Sequence, residues 1–97
     1  MAKIRSMSVR YSPRSIQDLG DIRNHISKDN PGAAWIVASF IRRSIRYLEE
    51  WPYHGRATEK EHVRRLVVTN YPYVVYYSIQ GDGDVIILSV RHTAQER

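Results

Sequence analysis

Residues 12–40 read SPRSIQDLGDIRNHISKDNPGAAWIVASF, and this stretch decides the architecture. It holds two helix starts and one stop. Ser12 is suited to accept a free amide at a helix N-terminus, and Pro13 in the first helical position gives up an N–H that would go unpaired anyway. Ile16, Leu19, Ile22 and Ile26 keep an apolar stripe, which predicts a helix from Pro13 to about Lys28. Asp29-Asn30-Pro31-Gly32 ends that helix and begins the next, with Asn30 as cap and Pro31 first in the helix. Ala34, Ala38, Ile41, Ile45 and Leu48 then fall at spacings of 4, 3, 4 and 3, with Trp35 and Val37 widening the apolar face. Arg42, Arg43 and Arg46 lie on other faces. Trp51-Pro52 closes this helix, because the residue before a proline is pushed out of the α region. So short a link makes the two helices an antiparallel hairpin, and Ala34 and Ala38 let them approach closely.

Upstream, Met7, Val9 and Tyr11 alternate with Ser8 and Arg10, which predicts a first strand over about Ile4 to Tyr11. Downstream, Tyr53 to Glu61 is polar and contains Gly55, and reads as a mobile loop. Three strand-like runs follow, Val63 to Thr69, Tyr73 to Ile79 and Val85 to Arg91. Asn70-Tyr71-Pro72 and Gln80-Gly81-Asp82-Gly83-Asp84 join them, the latter with glycines suited to positive φ. Such short links make an antiparallel meander. The order is βααβββ, an α+β fold in which an antiparallel twisted sheet carries the N-terminal helical hairpin on one face. The pairing of the first strand is not fixed by this pattern.

Strand parity places Leu66 and Val68, then Val75, Tyr77 and Ile79, then Ile86, Leu88 and Val90, under the helices. The open face then carries Arg65, Tyr76, Ser89 and Arg91, with His92 at the strand end. A sheet face with arginines and a tyrosine suits an anionic ligand.

With 97 residues there is room for one domain, 1–97, and 42% hydrophobic against 26% charged residues is a globular balance. Fifteen Lys and Arg against ten Asp and Glu give a net charge of +5, which points to a polyanion or an acidic protein as partner. The absence of cysteine excludes disulfides, thiolate metal sites and a cysteine nucleophile. No apolar run approaches the ~20 residues of a membrane span. The basic N-terminus lacks the apolar core of a secretory signal, so the cytoplasm is the expected compartment.

No phosphate-cradling loop, metal-ligand run or nucleophile elbow occurs, and no cofactor or metal is expected. Metal-free cleavage of RNA needs a base for the 2′-hydroxyl, an acid for the leaving oxygen and cations for the phosphorane. Arg65 and Arg91 could clamp a phosphate, with His92 or His62 as acid or base. Solvated surface charge is the simpler reading for each of these, and a packed or strand-capping histidine for His92. Arg42, Arg43 and Arg46 with Arg64 and Tyr76 are candidates for docking a partner. Their plain alternatives are a solvated helix face, partly balanced by Glu49 and Glu50, and cross-strand packing for the tyrosine.

The whole chain resembles the RelE/ParE superfamily of toxins from bacterial type II toxin–antitoxin systems. The carrying features are Tyr11-Ser12-Pro13 leading into Ile16-x-Asp18-Leu19-x-x-Ile22, then Asn30-Pro31-x-Ala33-Ala34, Trp51-Pro52 and Gly55-Arg56. Val63-Arg64-Arg65-Leu66-Val67-Val68, Tyr71-Pro72-Tyr73-Val74-Val75-Tyr76-Tyr77 and Val85-Ile86-Ile87-Leu88-x-Val90-x-His92 complete the ordered set. The resemblance implies the same βααβββ layout and a cognate acidic antitoxin that neutralises the toxin. It also implies one of two targets. RelE-like members cleave mRNA in the ribosomal A site, whereas ParE-like members poison DNA gyrase and are not enzymes. The basic residues of the RelE-like branch align with Arg65, Val67, Val74 and Thr93, of which only Arg65 is a cation. Losing a preorganised charge at a phosphate costs ~3 kcal/mol or more in the barrier. The resemblance therefore leans to the ParE-like branch, with a ribosome-dependent nuclease and a non-toxic nucleic-acid-binding module as alternatives.

Overall fold

A computed structural model describes residues 8–81 and 83–96. The elements are β1 (Val9–Tyr11), α1 (Pro13–Ser27), α2 (Pro31–Arg46), β2 (Arg56–Ala57), β3 (Val63–Val67), β4 (Tyr73–Ile79) and β5 (Val85–His92). Short 3-10 turns follow α2 at Tyr47–Glu49 and β5 at Thr93–Gln95. The expected strand residues Ile4 to Met7, and Asp82 of the hairpin turn, lie outside the described residues.

Both helix starts are built as their sequences dictate. Ser12 Oγ accepts the Ser15 amide at 3.0 Å, and Asn30 Oδ1 accepts the Ala33 amide at 3.0 Å. Proline follows each cap. In the β4–β5 turn Gly83 takes φ 105°, and Asn70 takes φ 73° in the turn before β4, a conformation asparagine tolerates better than most residues.

The sheet order is β1-β5-β4-β3-β2. The meander β3-β4-β5 is antiparallel as expected, but β1 runs parallel to β5, so the sheet is mixed. A parallel neighbour needs a crossover, and everything between Tyr11 and Val85 supplies it. The loop after α2 is also not free. It contributes β2, two residues long, which pairs with β3 and makes the outer edge.

The core lies between α2 and one sheet face. Val37, Ile41, Ile45 and Leu48 meet Leu66, Val75, Tyr77, Val85, Ile87 and Val90, all buried. Full burial of such a side chain is worth about 1.5–3 kcal/mol. Leu19, Ile22 and Ile26 of α1 pack at the margin of this cluster. Two helix assignments are corrected. Trp35 is 69% exposed and Ile16 60%, so neither belongs to a core face. Each lies to one side of a helix stripe that the core-facing positions fill without it.

The face of β5 is corrected too. Ile87 is fully buried, whereas Ile86 and Leu88 are half-buried on the other side. Tyr76 pairs with Ser89 and Tyr77 with Ile87, which leaves Leu88 as an extra residue. This bulge reverses the strand parity, so Val90 still reaches the core while Ile86 and Leu88 do not.

Candidate functional site

Registration across the sheet builds one row on the open face. Arg56 sits opposite Arg65, Arg65 opposite Tyr76, and Tyr76 opposite Ser89. All four side chains can donate hydrogen bonds. Arg91 stands beyond the row near the end of β5, and Lys60 on the loop at the other side. Together they line an open groove of about 710 Å³ that also takes in Glu59.

One carboxylate from the C-terminal segment occupies the middle of the row. Arg65 Nε and Nη2 donate to Glu96 Oε1 at 3.2 and 2.6 Å, and the Tyr76 hydroxyl donates to Glu96 Oε2. The Glu96 side chain is only 17% exposed. Burial pushes its carboxyl up, but the bonds from Tyr76 and Arg65 and the charges of Arg65 and Arg91 outweigh that and hold it below the usual value. Its bond to the Tyr76 hydroxyl, aided by burial, lifts that phenol above its usual value. Nothing in the chain's periodicity marks Glu96, because it follows the last strand and belongs to no stripe.

The histidine candidates fall elsewhere. His92 caps the 3-10 turn, its Nδ1 accepting the Ala94 amide at 3.0 Å while Gln95 Oε1 accepts the His92 amide. Its ring meets Tyr73 edge-on at 5.2 Å. His62 is exposed in the turn before β3, at φ 69° and 3.9 Å from Glu61. It borders a neighbouring groove rather than the one holding Arg65 and Arg91.

Arg64 points to the opposite face from Arg65 and ties down the loop that the sequence suggested would be mobile. Its Nη1 donates to the Gly55 carbonyl at 2.6 Å, and its guanidinium lies 4.8 Å from the Tyr53 ring centroid. Tyr77, fully buried, completes this anchor: its hydroxyl donates to the Pro52 carbonyl at 2.6 Å and accepts the Gly55 amide at 2.9 Å. Burial raises the Tyr77 phenol above its usual value, against the lowering effect of Gly55 and Arg64.

Arg42, Arg43 and Arg46 are exposed on α2. Arg42 borders a surface groove of about 360 Å³ with Tyr11, Ile16, Leu19 and Arg23. Exposed Trp35 and Ile36 lie on the same helix. The hairpin thus offers apolar side chains beside guanidinium groups.

Comparison with known proteins agrees with this build. The family described as "ParE toxin of type II toxin-antitoxin system, parDE" matches residues 9–97. Y4kP of Sinorhizobium fredii, a candidate toxin by its name, is 35% identical over 91% of this chain and 90% of its own. Toxin RelE2 of Caulobacter vibrioides is 37% identical over 90% of this chain and 96% of its own. Among solved structures, the chromosomal ParDE system of P. aeruginosa matches with a TM-score of 0.81 at 22% identity, over 90% of this chain and 96% of that one. The RelBE2 toxin–antitoxin complex of Mycobacterium tuberculosis matches with a TM-score of 0.61 at 21% identity, over 98% and 100% of the two chains. At such identities these structures speak for the fold. The class is therefore that of the toxins of type II toxin–antitoxin systems. Within that class the chain belongs to the ParE toxin family.

Proposed function

We propose that this ParE-family toxin acts in the cytoplasm on DNA gyrase, by protein contact and not by catalysis. An acidic antitoxin segment neutralises it by docking on the helical hairpin. The observation that carries the reading is the state of the candidate nuclease groups. Arg65 is committed to Glu96, His92 is committed to its turn, and Val67, Val74 and Thr93 supply no cation. Val74 is also fully buried, so that place on the sheet has no room for a solvated charge. Removing one preorganised donor from a reacting phosphate costs about 10²–10³ in rate, and here several are missing. Antitoxin docking is supported by exposed Arg42, Arg43 and Arg46 on the same helix as exposed Trp35 and Ile36, which suit an amphipathic acidic segment that folds on binding.

A ribosome-dependent nuclease is the second reading, favoured by the similarity to a protein named RelE2 and by Arg65 and Arg91 sharing one groove. Expression in a bacterial host tests the choice. Growth arrest, relieved by the acidic protein encoded beside the toxin, is expected. Arg65→Ala and His92→Ala each leave that arrest intact. Loss of arrest in both variants, with folded protein present, would favour the nuclease.

A further inference from the structure

We infer that the aromatic groove after α2 is a docking site for an arginine side chain presented by a partner protein. Tyr47, Glu50, Trp51, Pro52, Tyr53 and His54 line an open groove of about 420 Å³. Three of its walls are large rings left in solvent: Tyr47 is 48% exposed, Trp51 56% and Tyr53 64%. Exposed apolar surface gathered in one place marks an interaction site, whereas scattered single residues do not. The charge around it runs against the rest of the molecule. The chain carries fifteen Lys and Arg, yet none of the described residues lining this groove is one of them, and its carboxylate is that of Glu50. Glu50 is exposed, and among the described residues it forms no ion pair.

Such a lining selects a cation. The face of an aromatic ring is the negative end of its quadrupole, and a neighbouring carboxylate adds to the attraction. A guanidinium fits best, because it lies flat on a ring while its edge still donates to a carboxylate. The chain makes this contact twice within itself: the Arg64 guanidinium lies 4.8 Å from the Tyr53 ring centroid, and that of Arg43 lies 5.4 Å from the Phe40 ring centroid. Among the described residues no arginine or lysine covers Tyr47 or Trp51 in this way. The groove is also built before a ligand arrives. The Glu50 and Trp51 amides donate to the Tyr47 carbonyl at 3.2 and 3.1 Å, and the His54 amide donates to the Trp51 carbonyl at 3.0 Å. The Tyr47 ring meets His54 edge-on at 5.0 Å and Trp51 at 6.3 Å. Buried Tyr77 holds the Pro52 carbonyl and the Gly55 amide. Little order is left to impose on binding. A nucleic-acid strand could stack on the same rings, but Glu50 repels its phosphates and the lining offers no cation to hold them. Trp, Tyr and Arg are the side chains that dominate protein–protein hot spots, which favours a protein as the occupant. This inference is independent of the gyrase reading, since it fixes the chemistry of one contact and not the protein that brings it.

The test is NMR titration of the isotope-labelled full chain with the peptide acetyl-Gly-Arg-Gly-amide, with oligo-dT titrated in parallel. Trp35 and Trp51 are the two tryptophans, and Trp35→Phe assigns their indole signals. The Trp51 indole N–H is expected to shift saturably at millimolar peptide, while that of Trp35, exposed on the arginine-bearing helix, stays in place. A citrulline peptide keeps the planar group and loses the charge, and is expected to bind about fivefold more weakly, the ratio for one exposed cation–π contact. Glu50→Gln and Tyr47→Leu each weaken the arginine peptide about threefold, the size of one exposed charge or ring contact. Glu59→Gln, exposed on a different groove, leaves its affinity unchanged. Should Tyr47→Leu fail to fold, the two peptides compared on the unmodified chain decide. Equal binding of the arginine and citrulline peptides, equal movement of Trp35 and Trp51, an affinity unaltered in Glu50→Gln, or a Trp51 response to oligo-dT with none to the arginine peptide would each overturn the proposal.

Discussion

Asp18 on α1 accepts the Val90 amide of β5 at 2.9 Å, across 72 positions of sequence. β1 ends at Tyr11 opposite Ile87, so beyond it β5 has no strand on that side among the described residues. The start of α1 takes over. Ser12 donates its hydroxyl to the Leu88 carbonyl at 3.0 Å, and Asp18 meets the next free amide. The helix thereby finishes the hydrogen bonding of the strand just past its bulge. Asp18→Ala leaves the Val90 amide unpaired, at a cost of about 1–3 kcal/mol. Urea denaturation reads the loss, and faster hydrogen exchange at Val90 locates it. Asp18→Asn keeps an acceptor and costs less.

Gly55 is confined by Tyr77. A Cβ there would meet the tyrosine ring and hydroxyl at 2.7 Å and the Arg65 carbonyl at 2.9 Å. Gly55→Ala therefore pushes the loop off its anchor and destabilises the protein by about 1–3 kcal/mol. Tyr77→Phe keeps the ring but orphans the Gly55 amide and the Pro52 carbonyl, with a loss of similar size. Both variants are expected to expose the Trp51–Arg56 segment to protease well before the sheet unfolds.

The hairpin and the three-strand meander were legible because their signals are local. Ser12-Pro13 and Asn30-Pro31 mark helix starts, and the turn residues mark hairpins. Parity put Arg65, Tyr76 and Ser89 on one face, but the register that lines them up in a row comes from the strand pairing. The run Val85-Ile86-Ile87-Leu88 defeated parity: four consecutive apolar residues carry no period, so the bulge at Leu88 could not be seen. The parallel pairing of β1 depends on contacts across most of the chain. Glu96 stayed hidden for the same reason, since its partners Arg65 and Tyr76 are 31 and 20 positions away. His92 was readable as a packed or strand-capping residue; the structure packs its ring on Tyr73 and makes it the cap of the 3-10 turn after the strand.

Glu96 makes stability depend on pH in a fixed direction. Its carboxyl is held below the ordinary value of 4.5, so the folded state favours the charged form. The stabilisation is complete above the unfolded value and is lost as pH falls through the lower folded value. The urea midpoints of the unmodified protein and Glu96→Gln are therefore expected to differ most near neutral pH and to converge in acid. A difference that stays constant with pH would mean that the Glu96 charge contributes nothing.

Trp35 and the arginines of α2 separate stability from binding. Trp35 is largely exposed and lies outside the core, so Trp35→Ser should change stability by no more than about 0.5 kcal/mol. The same change, or Arg42→Glu with Arg46→Glu, is expected to weaken antitoxin binding at least about tenfold, because a docked acidic segment loses an anchor or meets like charge. Calorimetric titration of the antitoxin's C-terminal segment into each variant measures this.

The most direct measurement of the account places the purified toxin in two reactions side by side. One holds gyrase with supercoiled DNA, the other a translating ribosome whose message is mapped by primer extension. The expected result is accumulation of cleaved DNA–gyrase complex with an uncut message. Efficient cutting of the message with gyrase left untouched would contradict it.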